Sequence, residues 1–225
     1  MTYIHDLDSS QRPRPRIPRN LDAIEVRVLG CLMEKQLATP EYYPLTLNAL
    51  VAAANQKSNR EPVMELSEGQ IQHALDQLQD EKLVWKVMGG RAVRFDHNLD
   101  TVWHLNRSEK AVSTLLFLRG PQTAGELRGR SDRLQQFDSI AQVEETLREM
   151  AGHSEPLVSK LQRRSGQKEE RWAITVAGEI AEAAPVEAPV AAAGGEPLSM
   201  RVARLEERLA ALENALAELR TKLGE

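Results

Sequence analysis

At 225 residues, 41% hydrophobic, 4% aromatic and 28% charged, the chain has material for one large domain or two small aliphatic ones. The second suits helical modules better than a single enzyme core. A net charge of −4 is not that of a strongly basic nucleic-acid binder, and the single cysteine, Cys31, excludes an internal disulfide framework and a Cys-rich metal site. No apolar run reaches the roughly 18 residues of a membrane span, and Met1 to Asn20 carries no apolar signal core, so a cytoplasmic location is expected.

Charge is unevenly spread: about +2 over 1–20, about −4 over 21–106, about +2 over 107–178 and about −4 over 179–225. In residues 1–20, Arg12, Arg14, Arg16 and Arg19 alternate with Pro13, Pro15 and Pro18, which prevents helix and predicts an extended, disordered arm.

An internal repeat begins at residue 21. Its first copy, 21–106, opens with a helical pattern at Leu21, Ile24, Val28, Cys31 and Leu32. A short helix after Pro44 (Leu45, Leu47, Leu50, Val51) ends near Asn55. A third starts at Ser67 with a capping-box partner at Gln70 and buries Ile71, Ala74, Leu75 and Leu78. Two β-prone runs around Gly89–Gly90 then predict a hairpin.

The second copy, 107–178, repeats the order. Its first helix is predicted from Ser108, as cap, to Leu118, and its second from Thr123 through Leu127. The third runs from Ser139 to Met150, burying Ile140, Val143, Leu147 and Met150. The hairpin pairs 157–163 with 171–175 about a turn at Ser165–Gly166. The fold class expected is mainly α with small β-hairpins (α+β), in two tandem winged-helix domains.

Residues 179–197, rich in Ala, Pro and Gly, predict a flexible linker. In 198–225, Leu198, Val202, Leu205, Leu209, Leu212, Leu216, Leu219 and Leu223 alternate spacings of four and three, the a/d seam of a coiled coil. Arg201 faces Glu206, and Arg208 faces Glu213, across a parallel seam. A parallel homodimer through this helix is therefore expected.

No catalytic or metal constellation emerges, and no cofactor is expected. Cys31 lies on an apolar helix face, the five histidines lack paired ligand spacing, and Gly89–Gly90 is followed by no Gly-Lys-Ser/Thr. The chain is read as non-enzymatic, which leaves binding. The exposed face of the first copy's third helix offers Gln70, His73 and Gln77 to base edges, but Asp76, Asp80 and Glu81 repel phosphates. In the second copy Glu144, Glu145 and Glu149 outnumber Gln142 and Arg148.

Cations sit instead on hairpins and loops: Lys86, Arg91 and Arg94; Lys57 and Arg60; Arg128, Arg130 and Arg133; Lys160, Arg163, Arg164, Lys168 and Arg171. Each is equally readable as a solubilising charge. The stretch Asn55–Pro62 joins two helices and presents Lys57, Ser58, Asn59 and Arg60 together. It reads either as a side-chain network fixing a long turn or as a contact surface for DNA or protein.

The segments LMEKQLATPEYYPLTLNALVAAANQKSNREPVMELSE (32–68) and LRGPQTAGELRGRSDRLQQFDSIAQVEETL (118–147) resemble the YceH-like family of bacterial proteins. The resemblance covers roughly residues 21 to 176 and implies a tandem winged-helix fold; it supplies no function. The expected role is a dimeric DNA-binding, transcription-regulatory protein using wing and loop contacts. The alternative is a protein–protein scaffold with acidic winged helices, as in ScpB-like proteins.

Overall fold

Each copy of the repeat starts where a side chain closes the first turn of a helix. The computed structural model describes residues 20–88, 92–162 and 169–177. Asp22 accepts the N–H groups of Ile24 and Glu25 at 2.8 Å, and the Glu25 carboxylate accepts the Asp22 N–H in return, opening α1 (Ala23–Ala38).

In the second copy the same reciprocal box is made by Asn106 and Glu109 at the head of α5 (Arg107–Arg119). The expected cap, Ser108, is instead inside the first turn. Asn106 is the residue in extended conformation two positions earlier, where a cap must be. Asn106→Ala is expected to cost about 1 kcal/mol in urea unfolding. Ser108→Ala should stay within about 0.5 kcal/mol, and the reverse order would refute the assignment.

The rest of the first copy follows the predicted order with three additions, the first a 3-10 turn at Pro40–Tyr42. Leu45 is not helical: β1 (Leu45–Thr46) pairs with β3 (Arg94–His97), and Thr46 then caps α2 (Leu47–Ala54), which ends at Asn55. Helix α3 (Glu68–Asp80) has the Ser67–Gln70 capping box and buries Ile71, Ala74, Leu75 and Leu78, as its spacing requires. Strand β2 (Val84–Val87) pairs with β3, giving a three-stranded antiparallel sheet in the order β1-β3-β2. A single-turn helix, α4 (Leu99–Val102), leads to the second copy and has no sequence signal of its own.

There, Thr123 caps α6 (Ala124–Arg130), one turn longer than expected, and Ser139 caps α7 (Ile140–Ala151). Helix α7 buries Val143, Leu147 and Met150, but Ile140 is 51% exposed. At the first helical position its side chain leans back past the edge of the core. Strand β4 (Val158–Lys160) pairs with β5 (Trp172–Ile174). The molecule is thus mainly α with small antiparallel sheets. The arm, both hairpin turns (Gly89–Gly90 and Ser165–Gly166), the linker and the heptad seam lie outside the described residues.

The two copies share one core. Helix α1 packs on α5, with Gly30 facing Phe117 and Leu118, and Trp103 lies 6.0 Å from Phe117 between ring centroids. The Leu21 N–H donates to the Val176 carbonyl at 2.8 Å, tying the first described turn to the last. A partly buried polar cluster sits at the same joint. The Nζ of Lys110 (α5) donates to Gln36 Oε1 (2.7 Å) and to Asp100 (2.5 Å), and His97 Nε2 lies 2.9 Å from the same Gln36 oxygen.

His97 Nδ1 accepts the Leu99 N–H, so the ring is neutral with its proton on Nε2. Burial holds His97 down to about 4, with Asp100 pulling the other way and Lys110 reinforcing the depression. An unfolded histidine titrates near 6.5, so the unfolded chain binds the extra proton first. Stability from this site is full above about pH 6.5 and is lost toward pH 4, by about 3 kcal/mol in all. Urea midpoints across that window should fall more steeply in the parent than in His97→Gln; equal slopes would contradict this.

Candidate functional site

The long turn after α2 is built by two buried arginines and a half-buried asparagine. The Asn55 amide donates to the Leu66 carbonyl (2.8 Å), and its oxygen accepts the Leu66 N–H (2.7 Å). Arg27, buried on α1, donates to the carbonyls of Ala54 (3.1 Å) and Pro62 (2.6 Å). Arg60 donates to Ala53 O and Asn59 O, and clasps the Glu34 carboxylate with both terminal nitrogens, at 3.1 and 2.5 Å. The Glu61 N–H donates to the Leu118 carbonyl of α5, so the turn is stapled to the second copy as well.

The expectation that Arg60 is presented with its neighbours is therefore corrected. Its guanidinium is buried, because the last carbonyls of α2 and the Glu34 charge need a donor there. What the turn presents is Lys57 and Ser58, with Asn59 in the left-handed region (φ 60°), which asparagine tolerates. The Asn59 side-chain oxygen accepts a hydrogen bond from Arg119.

These residues form one wall of a cleft of about 760 Å³ between the two copies. The end of α1, the turn, the end of α5 and the segment after α6 line it. Its charged residues are Lys35, Lys57, Arg119, Arg130 and Arg133, against Glu34 and Asp132. Both carboxylates are already engaged, Glu34 by Arg60 and Lys35, Asp132 by Arg128 at 3.0 Å. Arg130 donates to Gln122 (2.6 Å) and lies 3.5 Å from Glu126. Lys57, Arg119 and Arg133 have no carboxylate within ion-pair distance among the described residues. Burial, then the neighbouring Arg130 charge, lowers the Arg119 guanidinium from its ordinary value.

Three cleft cations, Lys57, Arg130 and Arg133, were expected to make contacts from the sequence; Lys35 and Arg119 were not. Each of these two is an ordinary last-turn cation of its helix. The signal that singles them out is the repeat: each stands thirteen residues after its cap, from 22 to 35 and from 106 to 119.

The other expected contacts are scattered. Gln70 is turned back into its own cap, His73 is exposed and Gln77 half-buried. The α3 face also carries exposed Asp76 and Asp80, and α7 carries exposed Glu144, Glu145 and Glu149. Lys86 lies 3.7 Å from Asp76, Arg94 donates to the Pro44 carbonyl (2.7 Å), and Arg128 borders the cleft through Asp132. Lys160 pairs with Glu170 and stands over the Trp172 ring, while Arg171 is half-buried. Arg91, Arg163, Arg164 and Lys168 lie outside the described residues, as do Leu198, Val202, Leu205, Leu209, Leu212, Leu216, Leu219 and Leu223.

Cys31 is fully buried and its thiol is pushed up to about 11, chiefly by burial, so it carries no thiolate near neutral pH. Among the described residues no helix is long and apolar enough to cross a membrane.

Residues 21–167 match the model of the family described as a protein of unknown function, DUF480. The chain is similar to a UPF0502 protein of Citrifermentans bemidjiense, 43% identical over 92% of this chain and 96% of the relative. A UPF0502 protein of Solibacter usitatus is 46% identical over 89% and 96%. One of Geobacter sulfurreducens is 46% identical over 88% and 90%.

Proposed function

The chain belongs to the DUF480 family, in line with its YceH-like resemblance, and from that premise we propose a non-enzymatic, dimeric nucleic-acid-binding protein with a transcription-regulatory role. In this reading residues 21–106 and 107–178 are two winged-helix units, and the seam from Leu198 to Leu223 joins two copies of the chain in parallel. Three helices followed by a hairpin, twice in succession, support the winged-helix assignment.

One observation carries the nucleic-acid reading. In a protein of net charge −4, cations without carboxylate partners converge on one cleft, while the third helices are acidic. Phosphate neutralisation supplies most sequence-independent affinity, so contact is made by the cleft and loops and not by α3 or α7 in a major groove. No aromatic side chain lines the cleft among the described residues, which favours backbone phosphates over stacked bases.

Fluorescence anisotropy of the full chain against a labelled duplex at about 50 mM salt tests this. Saturable binding that weakens with added salt is expected; no binding at low salt would overturn it. The scaffold reading is favoured by a different feature, an apolar hairpin face with Trp85 55% and Val87 36% exposed. A protein captured from nuclease-treated lysate, together with failed anisotropy, would replace the first reading with this one. Sedimentation of the full chain at the monomer mass would refute the dimer.

A further inference from the structure

We infer that the cleft is a site for a small anion bearing two linked phosphoryl groups, gripped by an equivalent pair of cations from each copy of the repeat. This deepens the reading of the same cleft as a phosphate-contacting surface and rests on it.

The cations do not arrive at random. Lys35 and Arg119 hold the same position in their helices, counted from the caps. Lys57 and Arg133 follow the second helices at nearly the same distance from the caps Thr46 and Thr123, eleven and ten residues respectively. Arg130 apart, which is engaged with Gln122 and Glu126, each copy thus contributes one helix-end cation and one loop cation. Two such pairs facing one concavity match a ligand that carries the same charged group at both ends. Bidentate arginine contacts suit a phosphoryl group, and the lysines supply point charges.

Size and lining narrow the ligand further. A volume of about 760 Å³ is in the range of small-molecule sites. Its uncharged polar side chains Gln56 and Ser58 offer donors to phosphate oxygens. With no aromatic among the described lining residues, it provides no stacking face for a base. The ligand class is therefore phosphate-rich and base-poor. Arg119, held by a neutral asparagine oxygen and by no carboxylate among the described residues, is the group such an anion would relieve most.

A ligand in this cleft touches both copies and the turn that the buried arginines hold, so it competes with nucleic-acid phosphates for Lys57 and Arg133. The test is calorimetric titration of the full chain with inorganic pyrophosphate and, separately, orthophosphate in metal-free buffer. The parent is compared with Lys57→Gln, Arg133→Gln and, as a control outside the cleft, Arg148→Gln. One pyrophosphate per chain is expected, with orthophosphate at least tenfold weaker. Each cleft substitution should weaken pyrophosphate at least tenfold, and Arg148→Gln should leave it unchanged.

Lys57, Arg133 and Arg148 lie on the surface, and unchanged thermal midpoints in the three variants would confirm that folding is intact. Absence of saturable heat, equal affinity in the cleft variants, or orthophosphate as tight as pyrophosphate would each overturn the inference. Anisotropy with duplex on the same proteins separates the two readings. Duplex binding that depends on Lys57 and Arg133 without pyrophosphate binding removes the small-anion site and leaves the nucleic-acid reading. Pyrophosphate binding without duplex binding does the reverse.

Discussion

Replacing Arg60 by alanine is expected to cost about 3–5 kcal/mol of folding stability, the range seen when one partner of a buried ion pair is removed. The substitution leaves the Glu34 carboxylate, whose side chain is only 14% exposed, with Lys35 at 3.5 Å in place of a two-nitrogen clasp, and withdraws donors from Ala53 O and Asn59 O. This guanidinium links the end of α2, the long turn and α1, beside the ties made by Arg27 and Asn55, so the loss is not local. Urea unfolding followed by circular dichroism reads it directly.

Removing both charges, with Arg60→Met and Glu34→Leu together, should cost less than Arg60→Met alone, because the largely buried Glu34 charge is then not left to the 3.5 Å Lys35 contact alone. A loss below about 1 kcal/mol for Arg60→Ala would mean an ordinary surface residue. Arg60 would then return to the contact set.

Gly30→Ala is expected to destabilise by about 1–3 kcal/mol, against the sign of helix propensity, which favours alanine over glycine by about 1 kcal/mol. A Cβ at position 30 would stand 2.8 Å from Leu118 Cδ2, 3.0 Å from Leu118 Cγ and 3.0 Å from Phe117 Cβ. Both neighbours are buried, and Cβ of Phe117 moves only with its helix, so α1 and α5 would have to separate. Gly30→Val should be worse still, since its extra methyls enter the same contact. A stabilised Gly30→Ala protein would show that the helices do not meet there at close range.

How far the sequence foretold this molecule depends on the range of the interaction. Local chemistry was legible: the Ser67–Gln70 box, the helix starts at Thr123 and Ser139 and the buried face of α3 all follow from short spacings. The miss at Ser108 is also local. Asn106 and Ser108 are both good caps, and the partner Glu109 decides between them, because it stands three residues after Asn106. Strand β1 was hidden because two residues give no alternation and Leu45 also fits a helical face.

The functional region was half legible. Lys57, Ser58, Arg130 and Arg133 were among the residues expected to make contacts, and the turn Asn55–Pro62 was seen as special. Whether its polar residues fix the turn or face a ligand depends on which carbonyls α1, α2 and α5 bring near, and that is a tertiary fact. The answer divides by residue: Asn55 and Arg60 fix the turn, while Lys57 and Ser58 face the cleft. Lys35 and Arg119 become visible only when the two copies are superposed by their caps.

Cleft-mediated phosphate contact is tested most directly by the salt dependence of duplex binding in the parent and in the double variant Lys57→Gln, Arg133→Gln. Each lost phosphate contact lowers the slope of log K against log salt by about 0.9, so the double variant should lose about 2 from the slope. Its affinity at low salt should fall together with that slope. An unchanged slope with unchanged affinity would place the phosphates elsewhere and contradict the assignment of this cleft.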